Sequence, residues 1–184
     1  MAVDVERRRQ FESVVDVVYE PLQRYFGRRV QPADVSDLLN DALLVIWRRL
    51  DVVPTDDPLA WSYGVARRCL ANHRRGEHRR RRLFGRLTAQ PSVRDRVDQP
   101  LNEQGHLGLG AALDELDEAD RELVRLWAWE QLEPREIAMV LDTTPNAVSS
   151  RLSRAKKKIA ASIERQNGRV GGHEGFGHRR ELRS

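Results

Sequence analysis

The sequence has little cysteine, little lysine, few aromatics and no long apolar run. A single cysteine, Cys69, stands among 184 residues. No internal disulfide can form, so a reducing, intracellular location is expected. No apolar stretch approaches the roughly eighteen residues that a membrane span needs. The start MAVDVERRRQ lacks the apolar core of a secretory signal. Aromatics are 6% of the chain, apolar residues 40% and charged residues 33%. Small cores fit these figures better than one large buried sheet, and strand patterns are absent as well. These absences disfavour a secreted, disulfide-stapled or transmembrane protein. Of 32 basic residues only Lys156, Lys157 and Lys158 are lysines. Arginine is preferred where phosphates are gripped bidentately, although a GC-rich genome produces the same bias.

What is present is charge in blocks. The formal net charge is +4. Residues 1–58 hold 8 basic and 11 acidic side chains, whereas residues 67–86 hold 9 basic and one acidic, Glu77. Residues 113–142 reverse this, with 3 basic and 10 acidic, and residues 151–184 reverse it again, with 10 basic and 3 acidic. Two cationic stretches separated by an acidic one suggest two contacts with a polyanion, since phosphate neutralisation releases counterions.

Apolar spacing is helical throughout. Phe11, Val14, Val15, Val18, Tyr19, Leu22 and Phe26 form one stripe. Val35, Leu38, Leu39, Ala42, Leu43, Ile46 and Leu50 form a second, with Pro32 marking the break between them. A loop with two prolines, Asp51–Pro58, precedes a third helix that Asp57 caps and Pro58 begins. This helix carries Val65, Ala66, Cys69 and Leu70, then turns almost wholly to arginine. Residues 85–106 lose all periodicity and read as a linker, long enough to mark a domain boundary. Periodicity resumes with Leu109, Leu113, Leu116, Leu123, Val124 and Trp127. Residues 167–184, with five glycines, His173 and His178, read as a disordered tail.

The strongest local pattern lies between Pro134 and Ile159. The short helix PREIAMVL is followed by Asp142-Thr143-Thr144, then by Pro145, so that Thr144 and Pro145 make an N-cap and first-turn pair. Val148, Leu152, Ala155 and Ile159 lie within about 60° of one another at 100° per residue. The opposite side presents Asn146, Ser150, Ser153, Arg154 and Lys157, with Ser149 and Lys156 beside it and Arg151 and Lys158 on the other edge. Short helix, tight turn and longer basic-faced helix predict a helix-turn-helix. The second helix would enter the major groove, where small residues permit close approach and Asn146 can pair with an adenine edge. Arg154, Lys157 and Lys158 would hold phosphates.

Two further surfaces stand out before the linker. Asp37 and Asp41 lie one turn apart with Asn40 beside them, an acidic and amide patch able to dock a basic partner. The segment AWSYGVARRCLANHRRGEHRRRR joins Trp61 and Tyr63 to a dense arginine run. Stacking platforms beside a charged track suit single-stranded nucleic acid.

Together these residues resemble a bacterial RNA polymerase sigma factor of the sigma-70 family, in the extracytoplasmic-function group. DVSDLLNDALLVIWRRL is similar to that family's core-binding helix, DDPLAWSYGVARRCLANHRR to its promoter-melting segment, and AVSSRLSRAKKKI to its recognition helix. The resemblance covers about residues 10–83 and 110–163. It implies an all-α fold of two small helical domains joined by a flexible linker, the second containing the helix-turn-helix. The boundaries would be 1–84 for a region-2-like domain, 85–106 for the linker, 107–166 for a region-4-like domain and 167–184 for the tail.

It further implies that Asp37, Leu38, Asn40 and Asp41 face core RNA polymerase (β′ and β subunits). Trp61, Tyr63, Arg67, Arg68, Asn72, Arg74 and Arg75 would bind the single-stranded −10 element. Thr144, Asn146, Ser149, Ser150, Arg151, Arg154 and Lys157 would bind the −35 element of promoter DNA. An anti-sigma factor is an expected partner, the location is cytoplasmic, and no cofactor or catalysis is expected. Some positions depart from the family's habit. Asn40-Asp41 stands for Gln-Glu, Arg68 for Asn, Asn72 for Asp, Asp142 for the turn's glycine, and Ser149 for a lysine.

Two rivals remain at this level. A helix-turn-helix regulator acting without polymerase docking explains the C-terminal part but not the aromatic and arginine-rich segment. A metal-dependent nuclease would need His73, Glu77 and His78 as ligands, inside an arginine run that repels cations.

Overall fold

A computed structural model describes residues 2–85 and 107–170 of the chain. The expected linker, apart from Gly85, and residues 171–184 of the expected tail lie outside the described residues. Among the described residues the architecture is all-helical, with seven α-helices in two bundles.

The first bundle holds α1 (Ala2–Gly27), α2 (Pro32–Arg48) and α3 (Pro58–Gly85). Each packs on the other two. α1 buries Val18, Leu22, Tyr25 and Phe26, whereas Tyr19, expected in the same stripe, is 45% exposed. Its side chain leaves the helix about 100° from that of Val18, beyond the edge of the buried face. α2 contributes Leu38, Leu39, Ala42 and Ile46, and α3 contributes Val65, Ala66 and Leu70. Phe11 meets Trp47 edge-on at 5.1 Å. Arg7 donates to the Trp47 carbonyl at 2.7 Å, tying the start of α1 to the end of α2. α2 begins at Pro32, where the missing N–H has no intrahelical partner to lose. A short 3-10 turn, Leu50–Val52, leads into the proline-containing loop. The Asp57 carboxylate then accepts from the Ala60 amide at 3.1 Å and caps α3.

The second bundle holds α4 (Leu107–Asp114), α5 (Glu118–Ala128), α6 (Pro134–Leu141) and α7 (Pro145–Val170). The periodic run from Leu109 to Trp127 falls on two helices, α4 and α5. Asp117 breaks it, accepting from the Asp120 amide at 2.8 Å as the N-cap of α5. The Arg121 guanidinium folds back onto the carbonyls of Leu113, Asp114 and Leu116, a cation satisfying the carbonyl end of α4. Trp127, expected in the core, is 40% exposed, and Leu126 takes the buried place. Lys156 of α7 lies 3.4 Å from the Trp127 ring centroid, a cation–π contact on the surface. α7 continues to Val170, past the point where the tail was expected to start.

The two bundles meet. α6 packs along α3, and a Cβ built on Gly64 of α3 would lie 3.9 Å from the Val140 Cα. The helices thus approach to ordinary van der Waals distance at this point.

Candidate nucleic-acid interface

The helix-turn-helix forms from local rules. Glu133 and Glu136 make a reciprocal capping box at the start of α6, with Pro134 in the first turn. Asp142 ends α6 in the left-handed conformation, at φ 54° and ψ 56°. Its short polar side chain tolerates that region better than most non-glycine residues do. The Thr143 amide donates to the Ala138 carbonyl at 3.0 Å, closing the helix end. Thr144 Oγ1 then accepts from the Ala147 amide at 3.3 Å and caps α7. Ile137, Ala138 and Val140 bury against Val148, Leu152 and Ala155, with Ile159 half-buried behind them. This inner face fixes the direction in which the outer face points.

On that outer face Thr144, Asn146, Ser149, Ser150, Arg154 and Lys157 are exposed. Arg151 stands differently. Its Nε and Nη2 both donate to Asp120 Oδ1, at 2.9 and 2.7 Å, and its side chain is half-buried. The fork binds α7 to the first turn of α5, so its donors point into the bundle rather than away from it. The sequence alone placed Arg151 on the edge of the outer face and had no means of showing this partner.

In the first bundle Asp37, Asn40 and Asp41 are exposed along one side of α2. Leu38, grouped with them in the sequence, is buried in the core and holds the patch from within. Residue 38 is displaced by 100° from residue 37, which turns it to the opposite edge of the helix. On α3, Arg67, Arg68, Asn72, Arg74 and Arg75 are exposed, with Arg75 donating to the Asn72 side-chain oxygen Oδ1. Trp61 is half-buried, and the Arg49 guanidinium lies 5.8 Å from its ring. Tyr63 is only 3% exposed: its ring lies 5.5 Å from that of Tyr25 in the first bundle, and its hydroxyl is covered by Glu130 of the second.

A cluster absent from the sequence reading explains that cover. Arg29, just past α1, has a side chain with 0% exposure. It donates to Glu130 Oε1 at 2.9 Å and to Glu122 Oε1 at 3.3 Å, both on the second bundle. It also donates to the Tyr25 carbonyl at 3.0 Å, and its guanidinium lies 3.6 Å from the Tyr25 ring. Arg28 donates to Glu130 Oε2 at 3.0 Å. The hydroxyl of Tyr25 donates to Glu122 at 3.2 Å, and that of Tyr63 to Glu130 at 3.4 Å. Further out, Arg74 donates to Glu118 at 3.1 Å.

Burial opposes the Arg29 charge, but Glu122, Tyr25 and Glu130 outweigh it and raise its pKa. Burial first, then Glu122, pushes the Tyr25 hydroxyl far above the ordinary phenol value. Burial and Glu130 do the same for Tyr63. Both phenols therefore remain protonated donors. Removing one partner of such a buried pair leaves an uncompensated charge and costs about 3–5 kcal/mol. Spacing gave no hint of this cluster. The acidic excess over residues 113–142 was visible, but the cations that neutralise it lie about a hundred residues away.

The nuclease constellation does not assemble. Glu77 pairs with Arg81 at 3.1 Å and His73 faces Asp34 at 3.8 Å. Among the described residues no group of three or more His, Cys, Asp or Glu side chains could hold a metal. No described helix is long and apolar enough to cross a membrane.

Comparison with known proteins agrees with this geometry. The family model "Sigma-70, region 4" matches residues 106–159, which span α4 to most of α7. The RNA polymerase sigma factor NccH of Alcaligenes xylosoxydans xylosoxydans is 30% identical over 147 residues, 77% of this chain and 78% of that protein. The RNA polymerase sigma-E factor of Streptomyces avermitilis is 31% identical over 159 residues, 84% and 86% of the two chains. Among solved structures, CnrH in complex with the cytosolic domain of CnrY matches with a TM-score of 0.56 at 23% identity, over 86% of this chain and 90% of CnrH. Sigma factor RpoE in complex with the anti-sigma factor NepR, from Bartonella quintana, matches with a TM-score of 0.59 at 18% identity, over 84% and 96%. These two share the fold. Likeness to named sigma factors over more than three quarters of the chain, with the region-4 match over residues 106–159, means that the chain belongs to the sigma-70 family of RNA polymerase sigma factors, in the extracytoplasmic-function group.

Proposed function

We propose that this sigma factor docks on core RNA polymerase through Asp37, Asn40 and Asp41 of α2, chiefly on the β′ subunit. Its α3 side chains then follow the unpaired −10 strand, and the outer face of α7 reads the −35 duplex. Flipping a base out of the stack costs a few kcal/mol, which pocket contacts offset. Trp61, Tyr63, Arg67, Arg68, Asn72, Arg74 and Arg75 are the side chains assigned to the strand. Thr144, Asn146, Ser149, Ser150, Arg154 and Lys157 are assigned to the duplex, with Arg151 holding α7 in position through Asp120. The domain assignment follows: region-2-like over 1–84 and region-4-like over 107–166. The protein makes and breaks no covalent bond itself, since the polymerase does the chemistry. It works in the cytoplasm, on the nucleoid when bound to polymerase. The RpoE relative is solved with the anti-sigma factor NepR, and a partner of that kind is proposed here too.

The observation that carries this reading is the exposed polar and basic face of α7, set on a capped helix whose inner side buries Val148, Leu152 and Ala155. Mixing the chain with sigma-free core polymerase and fragmented genomic DNA, then mapping transcript starts, tests it. Discrete starts sharing two upstream elements are expected. Tight binding to promoter duplex by the chain alone, without core binding or starts, would make it an independent regulator instead. Asp41→Arg should weaken core binding by about a hundredfold, because a like-charge contact costs several kcal/mol at an interface. Its circular dichroism should match the parent, since Asp41 is exposed.

A further inference from the structure

We propose that Lys156, Lys157 and Lys158 form a modification site: acylation of their amines by an activated acyl group, a thioester or an acyl phosphate, weakens the grip of α7 on duplex DNA and leaves core docking intact. The proposal rests on the assignment of α7 to the −35 duplex made above.

Three observations carry it. First, these are the only lysines among 32 basic residues, and they are consecutive. A genomic bias towards arginine acts on every basic position alike, so it does not explain why its three exceptions stand side by side. Second, the two kinds of cation differ in chemistry. A lysine amine can lose its proton and become a nucleophile, whereas a guanidinium stays protonated and resists acylation. Arginine supplies the charge everywhere else, including Arg67, Arg68, Arg74 and Arg75 of α3. Acyl chemistry is therefore blind to α3, and no helix of the first bundle offers it a side-chain amine. Third, all three lysines are exposed on the one helix assigned to the duplex. Successive residues step by 100°, so the three amines fan across that helix. Lys157 belongs to the outer face with Arg154, and Lys156 lies over the Trp127 ring of α5, 3.4 Å from its centroid.

The step balances without an oxidant or a reductant. The amine, having lost a proton to solvent, attacks the acyl carbon. A C–N bond forms, the C–S bond of a thioester or the C–O bond of an acyl phosphate breaks, and thiolate or phosphate leaves with the electron pair. Each ammonium becomes a neutral amide, so one positive charge is lost per lysine. Lys157 then offers a phosphate no cation, and Lys156 loses its cation–π contact. The charge block that turns α7 towards a polyanion is thereby adjustable, while the arginines of the other surfaces are not.

The full chain is treated with acetyl phosphate or with acetyl coenzyme A, freed of reagent and mixed with untreated core polymerase. A second protein carrying Lys156→Arg, Lys157→Arg and Lys158→Arg is treated in parallel and compared only with its own untreated form. It keeps the three cations and lacks the three amines, while the terminal amine and Cys69 are present in both proteins. Peptide mass spectrometry should find acetyl groups on the lysines, and modification by one donor alone identifies the source. The acetylated parent should bind core as before. As holoenzyme it should bind promoter duplex about tenfold more weakly, the loss expected of one charge-assisted contact. Its salt slope should fall by about one for each phosphate contact removed. The triple-arginine protein should not respond to treatment. Lysines left unmodified by both donors overturn the site. Lysines modified with promoter affinity unchanged overturn its control of binding. An equal loss in the triple-arginine protein assigns the effect to the terminal amine or Cys69 and overturns the proposal as well. Untreated holoenzyme that gives no discrete starts overturns instead the reading of α7 on which the proposal rests.

Discussion

The helices α3 and α7 are both long and basic, yet they are held in opposite ways. The tied residues of α7 face their own bundle, with Arg151 on Asp120 and Lys156 on Trp127. Those bonds build the element and leave its outer face open. On α3 two ties cross to the other bundle, Tyr63 to Glu130 and Arg74 to Glu118, while His73 faces Asp34 of its own. Those two bonds join one bundle to the other. A polar contact inside one packing unit is a matter of stability. The same contact between two units is a matter of population, because either side can be resolvated without unfolding.

The contrast can be broken first at the inner face of α6. Ile137 is fully buried, so Ile137→Ala should destabilise the second bundle by about 2–5 kcal/mol. Thermal unfolding should show that bundle melting ahead of the first. Coincident melting of both would mean that the bundles are one cooperative unit. A smaller effect separates two neighbouring arginines. Arg151→Ala should cost about 1–2 kcal/mol in the same melt, from the lost charge-assisted fork in a half-exposed setting. Arg154→Ala should leave the melt unchanged and reduce the salt slope of promoter-duplex binding by about one. Equal effects of the two on binding alone would erase the distinction drawn here.

Asp142→Gly should stabilise slightly, by about 0.5–1 kcal/mol at most, because glycine adopts the left-handed conformation without the Cβ penalty. The smallest effect is that of acid. The Asp120 amide first, and Arg151 nearby, hold the Asp117 carboxyl below the usual carboxylate range. Ser162 first, then Arg165, do so for Glu115. Both groups have depressed folded values, so their contribution is present above the ordinary carboxylate pKa and is lost as pH falls through the folded values. The second bundle should therefore lose stability on acidification below about pH 4, by urea titration at successive pH values. Asp117→Asn, which still caps α5 but does not titrate, should flatten that dependence.

Much of this was legible from neighbouring residues. The α6–turn–α7 unit follows from Pro134, the Asp142 turn, Thr144 and the spacing of Val148, Leu152 and Ala155, all within about one helix length of each other. The cap at Asp57 follows from its place before Pro58. Where the reading went astray, a longer-range fact decided. The run from Leu109 to Trp127 keeps apolar spacing across Asp117, so the helix break was hidden, and Trp127 is apolar yet sits outside under Lys156. Tyr19 sits one residue from the face to which pattern assigned it, and a step of 100° reverses exposure; Leu38 lies on the inner face that its apolar spacing gave it, not on the outer patch that the resemblance implied.

The sequence by itself determined the helices, their caps, the inner faces and the alternation of charge, because propensity, capping and periodicity act over a few residues. It also determined the family, because the motifs follow one another in order along the chain. Only the tertiary structure decided that Arg29 meets Glu122 and Glu130, that Arg151 serves its own bundle, and that Tyr63 lies covered while α7 stands open. Those contacts join residues far apart in the chain, and a buried ion finds its partner by proximity in space, to which spacing along the sequence is blind.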